Sequence, residues 1–177
     1  MSTNIVERLH AEFGELTKIL SDSGEISLLN VAEDNFRKSL LLAAASYFEK
    51  KMTEHVLQFA YEIAGENHIL AALIQQKAIN RQYHTWFSWD QTSANSFFSL
   101  FGSSFSNIAK EEVRRNATLD ASIRAFLSLG SERNRLVHQD FGNFTLEKTT
   151  EEIFSLFQNS IFFVNWTPQF LRENCRC

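Results

Sequence analysis

The sequence predicts an all-α protein, a helical bundle of four to six helices, and three features carry that expectation. Proline is nearly absent: Pro168 is the only one, so nothing before it forbids a long helix. Glycines at Gly24, Gly65, Gly102, Gly130 and Gly142 cut the chain into helix-sized pieces, as helix stops and turns do. Apolar residues recur at helical spacing within most pieces, and no strand-like alternation survives beyond a few residues.

Taken in order, the first helix runs from Thr3 to about Leu20, because Ile5, Leu9, Phe13, Leu16 and Leu20 step by four, four, three and four along one face. SDSGE, residues 21–25, is a loop. A second helix runs from near Leu29 to Ala64; it is long for a globular domain, which leaves room for an interruption around Lys51 to Thr53. Its centre, SLLLAAASYFEKK, is apolar on nearly all sides and is expected at the heart of the core. Asn67 can cap a third helix from His68 to about Gln82, with Ile69, Leu73 and Ile74 inward. YHTWFSW, residues 83–89, breaks the pattern. Its aromatics could stack nucleobases, although such a segment more often packs as a tethered loop, and His84 is read the same way.

Thr92 or Ser93 can start a short helix, ANSFFSLFG, closed by Gly102, and SSFSNIAKEEVRRN makes another. Thr118 is a suitable N-cap for a helix beginning LDASIRAFLSL, with Ile123, Phe126 and Leu127 inward, that Gly130 either breaks or bends. Thr149, with Glu152 three residues on, forms a capping box for a final helix bearing Ile153, Phe154, Phe157, Ile161 and Phe162.

Composition narrows the function classes. A chain of 177 residues fits one domain, here 1–177, with an N-terminal helix and loop over 1–25 and a C-terminal tail over 168–177. The 17 phenylalanines have no polar handle, so most belong in a core or a subunit interface. A net charge of −4 argues against a strong, sequence-independent grip on nucleic acid, which depends on neutralising many phosphates. Acidic side chains outnumber basic ones nearly two to one in residues 1–70, whereas the two are balanced in 71–177. The second part is thus the better host for an anion, with a mild cluster at Lys110, Arg114, Arg115, Arg124, Arg133 and Arg135 that equally fits a solvated helix face. Cys175 and Cys177 offer neither a disulfide framework nor a four-ligand zinc site. No stretch reaches the length of a membrane span, and MSTNIVERLHAEF lacks the apolar run of a signal peptide, so a soluble cytoplasmic protein without metal or cofactor is expected.

The chemistry concentrates in GSERNRLVHQDFGNF, residues 130–144, where Arg133, Asn134 and His138 fall within six residues ahead of a polar turn at Gly142 and Asn143. Arg presents a fork of donors to a phosphate, and His exchanges a proton near neutral pH. Together they can serve both the charge and the proton transfers of phosphodiester cleavage. The same residues can also cap and salt-bridge a helix end. Five helical steps rotate about 140°, so Arg133 and His138 do not share a stripe in an ideal helix and can converge if His138 sits at a frayed last turn. Glu49 or Glu54 on the second helix could orient either residue, although a solvent-facing i to i+4 partner is the commoner role of such a carboxylate, and Arg135 and Asn143 are further supporting candidates.

The element Arg133-Asn134-Arg135-Leu136-Val137-His138, late in an all-α chain, resembles the RNxxxH signature of the HEPN superfamily. The succession SFFSLFG, SSFSNI, a helix, RNRLVH and FGNF resembles more narrowly the bacterial RiboL-PSP and MAE-like HEPN groups of conflict and defence systems, over roughly residues 30 to 165. The resemblance implies a HEPN-like bundle that dimerises with its motifs facing each other. It also implies a metal-independent endoribonuclease, with Arg133 and His138 as catalytic pair and Asn134 positioning them. As a toxin or anti-phage defence effector it would cleave RNA, tRNA being one candidate, to 2′,3′-cyclic phosphate and 5′-hydroxyl ends, with an antitoxin or defence-system protein as a further partner. The alternative is a non-catalytic HEPN-like helical module that binds a partner protein or RNA.

Overall fold

The computed structural model describes residues 4–139 and 141–175, and these residues are helical with no strand among them. Thr3, Asp140 and Cys177, which entered the expectations above, lie outside the described residues. The helices are α1 (Ile5–Asp22), α2 (Ile26–Ala64), α3 (His68–Ile74), α4 (Tyr83–Trp86), α5 (Asn95–Ser99), α6 (Ser103–Arg115), α7 (Ala117–His138) and α8 (Thr150–Glu173), and a π-helical turn, Gln75–Ile79, extends α3. The five longer ones, α1, α2, α6, α7 and α8, are the helices of the expected bundle; α3, α4 and α5 are short connections. No helix among the described residues is long and apolar enough to cross a membrane.

The chain forms two compact units, Met1–Tyr47 with Leu129–Gln158, and Phe48–Ser128 with Asn159–Cys177. In the first, Asn4 caps α1 and closes a capping box with Glu7. Phe13 of α1 stacks on Phe36 of α2 at 3.7 Å between ring centroids, and His10 stacks on Phe154 of α8 at 3.9 Å. Phe157 lies edge-on to Tyr47, and Leu40, Leu41 and Ala44 of α2 are buried. The expected inward face of α1 is only partly so: Val6 and Phe13 are buried, whereas Ile5 and Leu16 are exposed. Seven steps separate Val6 from Phe13, nearly two full turns, so these two share a stripe that Ile5 and Leu16 flank.

The second unit is built on an aromatic core. Phe48, Phe87, Phe97, Phe126 and Phe163 are all fully or nearly buried, with Phe87 and Phe126 rings 4.9 Å apart and Phe126 and Phe163 5.2 Å apart. Between α7 and α8, buried Ser122 donates its hydroxyl hydrogen to the Asn159 carbonyl and accepts from the Phe163 amide.

Several local expectations change. Helix α2 is continuous through Lys51–Thr53, its buried residues Leu40, Ala44, Phe48, Met52, Val56 and Ala60 advancing by four and holding it in a packed environment throughout. Asn67 does cap α3, through the Leu70 amide, but Ile69 and Leu73 face solvent while Ala71 and Ile79 are buried. Helix α5 has no side-chain cap, so neither Thr92 nor Ser93 starts it. Asn116, not Thr118, caps α7 by accepting from the Leu119 amide, and α7 passes unbroken through buried Gly130. Thr149 and Glu152 form the expected capping box at α8. Helix α8 then runs on through Pro168 to Glu173, so residues 168–173 are helix rather than tail.

Candidate functional site

The motif occupies the last turns of α7, within the first unit. Leu136 is buried and anchors this end of the helix, and the residues on either side of it turn towards solvent. Arg133 and Asn134 are half-buried and joined: Arg133 Nη1 donates to Asn134 Oδ1 at 3.2 Å. That bond fixes the guanidinium while leaving its other donors available. His138 is the final helical residue and is exposed, with no hydrogen bond or ion pair to its ring among the described residues. The helix runs unfrayed through all five steps from Arg133 to His138, so the two side chains leave its axis about 140° apart. The histidine itself is not part of the Arg133–Asn134 pair.

Arg135 points elsewhere. It pairs with Glu132 at 3.0 Å, and its guanidinium carbon lies 5.6 Å from the centre of the Phe144 ring, a cation–π contact with the loop that follows the motif. Asn143 is exposed within the turn at 141–143. Glu49 is exposed on α2 and belongs to the second unit, outside the unit that holds the motif. The six basic residues of the sequence cluster are likewise divided. Lys110, Arg114 and Arg124 line a shallow groove of the second unit together with Asp120, and two of them are already paired, Arg114 with Glu111 at 2.6 Å and Arg124 with Asp120 at 2.8 Å. Arg133 and Arg135 are in the first unit.

Asp34, Arg37 and Lys38, which belong to no motif in the sequence, form a second charged group in the first unit. Lys38 is buried yet charged: its Nζ lies 2.9 Å from Asp34 Oδ2 and donates to the Phe141 carbonyl at 3.1 Å. Arg37 Nη1 donates to the Leu146 carbonyl at 3.1 Å, and Arg37 Nη2 pairs with Asp34 at 3.3 Å. The only signal in the sequence was an acid followed three and four residues later by bases, which ordinarily marks a solvated helix face.

The remaining histidines fall outside the motif. His84 is exposed, with its carbonyl accepting from Trp89 Nε1. His55, in the second unit, has a buried Nε2 without a hydrogen-bond partner. Burial holds its imidazole below the ordinary 6.5, reinforced by Lys51 and Arg172 and opposed by Glu54. Since the folded value is the lower one, the unfolded chain takes up the proton first. Stability contributed by neutral His55 is therefore full above about pH 6.5 and is lost as pH falls below it. His55→Gln should flatten the dependence of the melting temperature on pH across this range, and an unchanged slope would show that other groups set it.

Among the described residues no cluster of three or more His, Cys, Asp or Glu could hold a metal ion. What the motif assembles is a permanent cation, a polar amide bound to it and an accessible imidazole on one helix end, the groups that phosphate recognition and proton transfer use. Residues 7–170 match a family model described as RiboL-PSP-HEPN. No curated protein and no solved structure matches the chain.

Proposed function

The chain belongs to the RiboL-PSP-HEPN family, and from that premise we propose that it is a metal-independent endoribonuclease whose active site is completed by a second copy of itself. The observation that carries this reading is the exposed His138 at the very end of α7, one turn beyond the bonded Arg133–Asn134 pair. Both units count as parts of one HEPN-like domain in this proposal, since the family match includes residues of each.

Cleavage of RNA without a metal needs a base for the 2′-hydroxyl proton, an acid for the departing 5′ oxygen and positive charge at the phosphorane. In an in-line displacement the attacking and leaving oxygens lie on opposite sides of phosphorus, so one imidazole cannot serve both. Two copies of His138 would divide the roles, one taking the proton and the other giving one. The paired Arg133 side chains would hold the non-bridging oxygens, with each Asn134 keeping its arginine in place. The products are a 2′,3′-cyclic phosphate and a 5′-hydroxyl. A toxin or defence role, with a partner protein holding the activity in check, extends the same proposal.

The test is incubation of the purified protein with total RNA and with tRNA in EDTA, with end-group analysis of the products and light scattering of the protein. Cyclic phosphate ends from RNA, no cleavage of a fully 2′-deoxy substrate and a dimer are expected. A dimer that leaves RNA intact would replace this reading by the non-catalytic module. A monomer under all conditions would remove the composite site.

A further inference from the structure

Lys38 stands out in the first unit. A lysine ammonium removed from water is costly unless it is paired and hydrogen-bonded, and the Lys38 side chain is only 3% exposed. Three contacts, to two residues, explain how that cost is met. Asp34 supplies the counter-charge at 2.9 Å, the Phe141 carbonyl accepts a hydrogen bond at 3.1 Å, and the Phe141 ring centre lies 5.2 Å from the ammonium. Two of these contacts are to one residue, and that residue comes three positions after His138.

Neighbouring groups act on the same loop. Asp34 also holds Arg37, and Arg37 donates to the Leu146 carbonyl. From the motif side, Arg135 covers the ring of Phe144, which is buried. The segment that leaves α7 is therefore gripped at residues 141, 144 and 146, two of the three grips being carbonyls held by cations of α2. Such carbonyls carry no sequence information, so the device depends on where Lys38 and Arg37 reach and not on which residues the loop contains.

We infer that Lys38 is a positioning residue for His138: by holding the Phe141 carbonyl and ring it sets the direction in which the chain leaves α7, and with it the place of the terminal imidazole. The inference rests on the nuclease reading above. Among the described residues His138 has no hydrogen bond of its own to aim it, so its aim depends on the backbone at the helix end and on what restrains that backbone. A proton-transfer group must be held to well within an ångström of its productive place. Asp34 serves as the counter-charge that holds the Lys38 ammonium in place, and Arg37 secures the far end of the same loop.

Lys38→Met keeps the length and apolar stem of the side chain and removes the charge and donor. In the folded variant, amides of residues 141–146 should exchange with solvent faster than in wild type, and the His138 ring signals in an NMR spectrum should move. With RNA as substrate, kcat should fall about tenfold or more with KM nearly unchanged, because aim is lost and binding is not. Lys38→Arg, which retains a cation and donors, should recover much of the loss. Should Lys38→Met not fold, exposed Phe141→Ala removes the ring contact without opening a core, and a drop in kcat of roughly threefold is expected by the same reasoning. Unaltered exchange and unmoved His138 signals in these variants would overturn the inference. So would an unaltered kcat in a variant that folds. If wild type itself cleaves no RNA, the nuclease reading falls, and the exchange and NMR measurements still decide whether Lys38 orders the motif end.

Discussion

His138→Ala should abolish RNA cleavage, with kcat reduced by at least about a thousandfold and the fold intact. The size follows from the composite site: one substitution removes the imidazole from both copies, and with it both the base and the acid, each of which typically contributes 10²–10⁴ in rate. Because His138 is exposed and bonded to nothing described, its loss opens no cavity and strands no partner, so the melting temperature should stay close to that of wild type. Arg133→Ala should fall in the same direction by roughly 10²–10³, the usual cost of deleting a donor to developing oxyanion charge. It should also release Asn134 from the bond it accepts. Assays on RNA in EDTA, beside wild type and with circular dichroism as a fold control, check both. Variants that cut as fast as wild type would assign the cleavage to other residues, and a large loss of fold in His138→Ala would mean that the side chain is structural.

The fold class and the motif were legible for different reasons. Helices announce themselves through the rarity of proline, through glycines that end them, as Gly24, Gly65 and Gly102 do with positive φ, and through short-range caps such as Thr149 with Glu152. Each of these is a local rule acting within a few residues. Choices between neighbouring candidates were less legible. Asn116 and Thr118 are both acceptable caps, and only packing of Leu119 against its surroundings decides that α7 begins two residues earlier. Of the candidate site residues, Arg133, Asn134 and His138 share one helix end and could be read together from sequence. Glu49 could not be judged, since a helix as long as α2 exposes carboxylates along its whole length. Lys38 was missed because its partners at 141 lie more than a hundred residues away, and nothing in the local charge pattern separates a solvated Asp–Lys pair from a buried one.

Helix α8 offers the sharpest contrast between adjacent residues. Phe163→Ala should destabilise the second unit by about 3–5 kcal/mol, the usual cost of truncating a fully buried phenylalanine, whereas Phe162→Ala should cost under about 1 kcal/mol. Phe162 is one of the five apolar residues that the sequence puts on this helix with Ile153 and Phe157. Nine steps of about 100° put it half a turn away from Ile153, and its 42% exposure agrees with that geometry. The buried face instead runs through Ile153, Phe157, Ser160, Phe163, Val164 and Thr167. Phe163 meets the rings of Phe87, Phe97, Phe126 and Trp166 there, and its amide donates to Ser122. Truncation leaves that amide bonded but empties the centre of the aromatic cluster. Trp86, Trp89 and Trp166, all the tryptophans of the chain, belong to this unit, so their fluorescence reports its unfolding directly. At roughly 2–4 °C per kcal/mol for a chain of this size, the midpoint for Phe163→Ala should fall by about 6–20 °C. Equal midpoints for the two variants would mean that α8 is rotated from the register described.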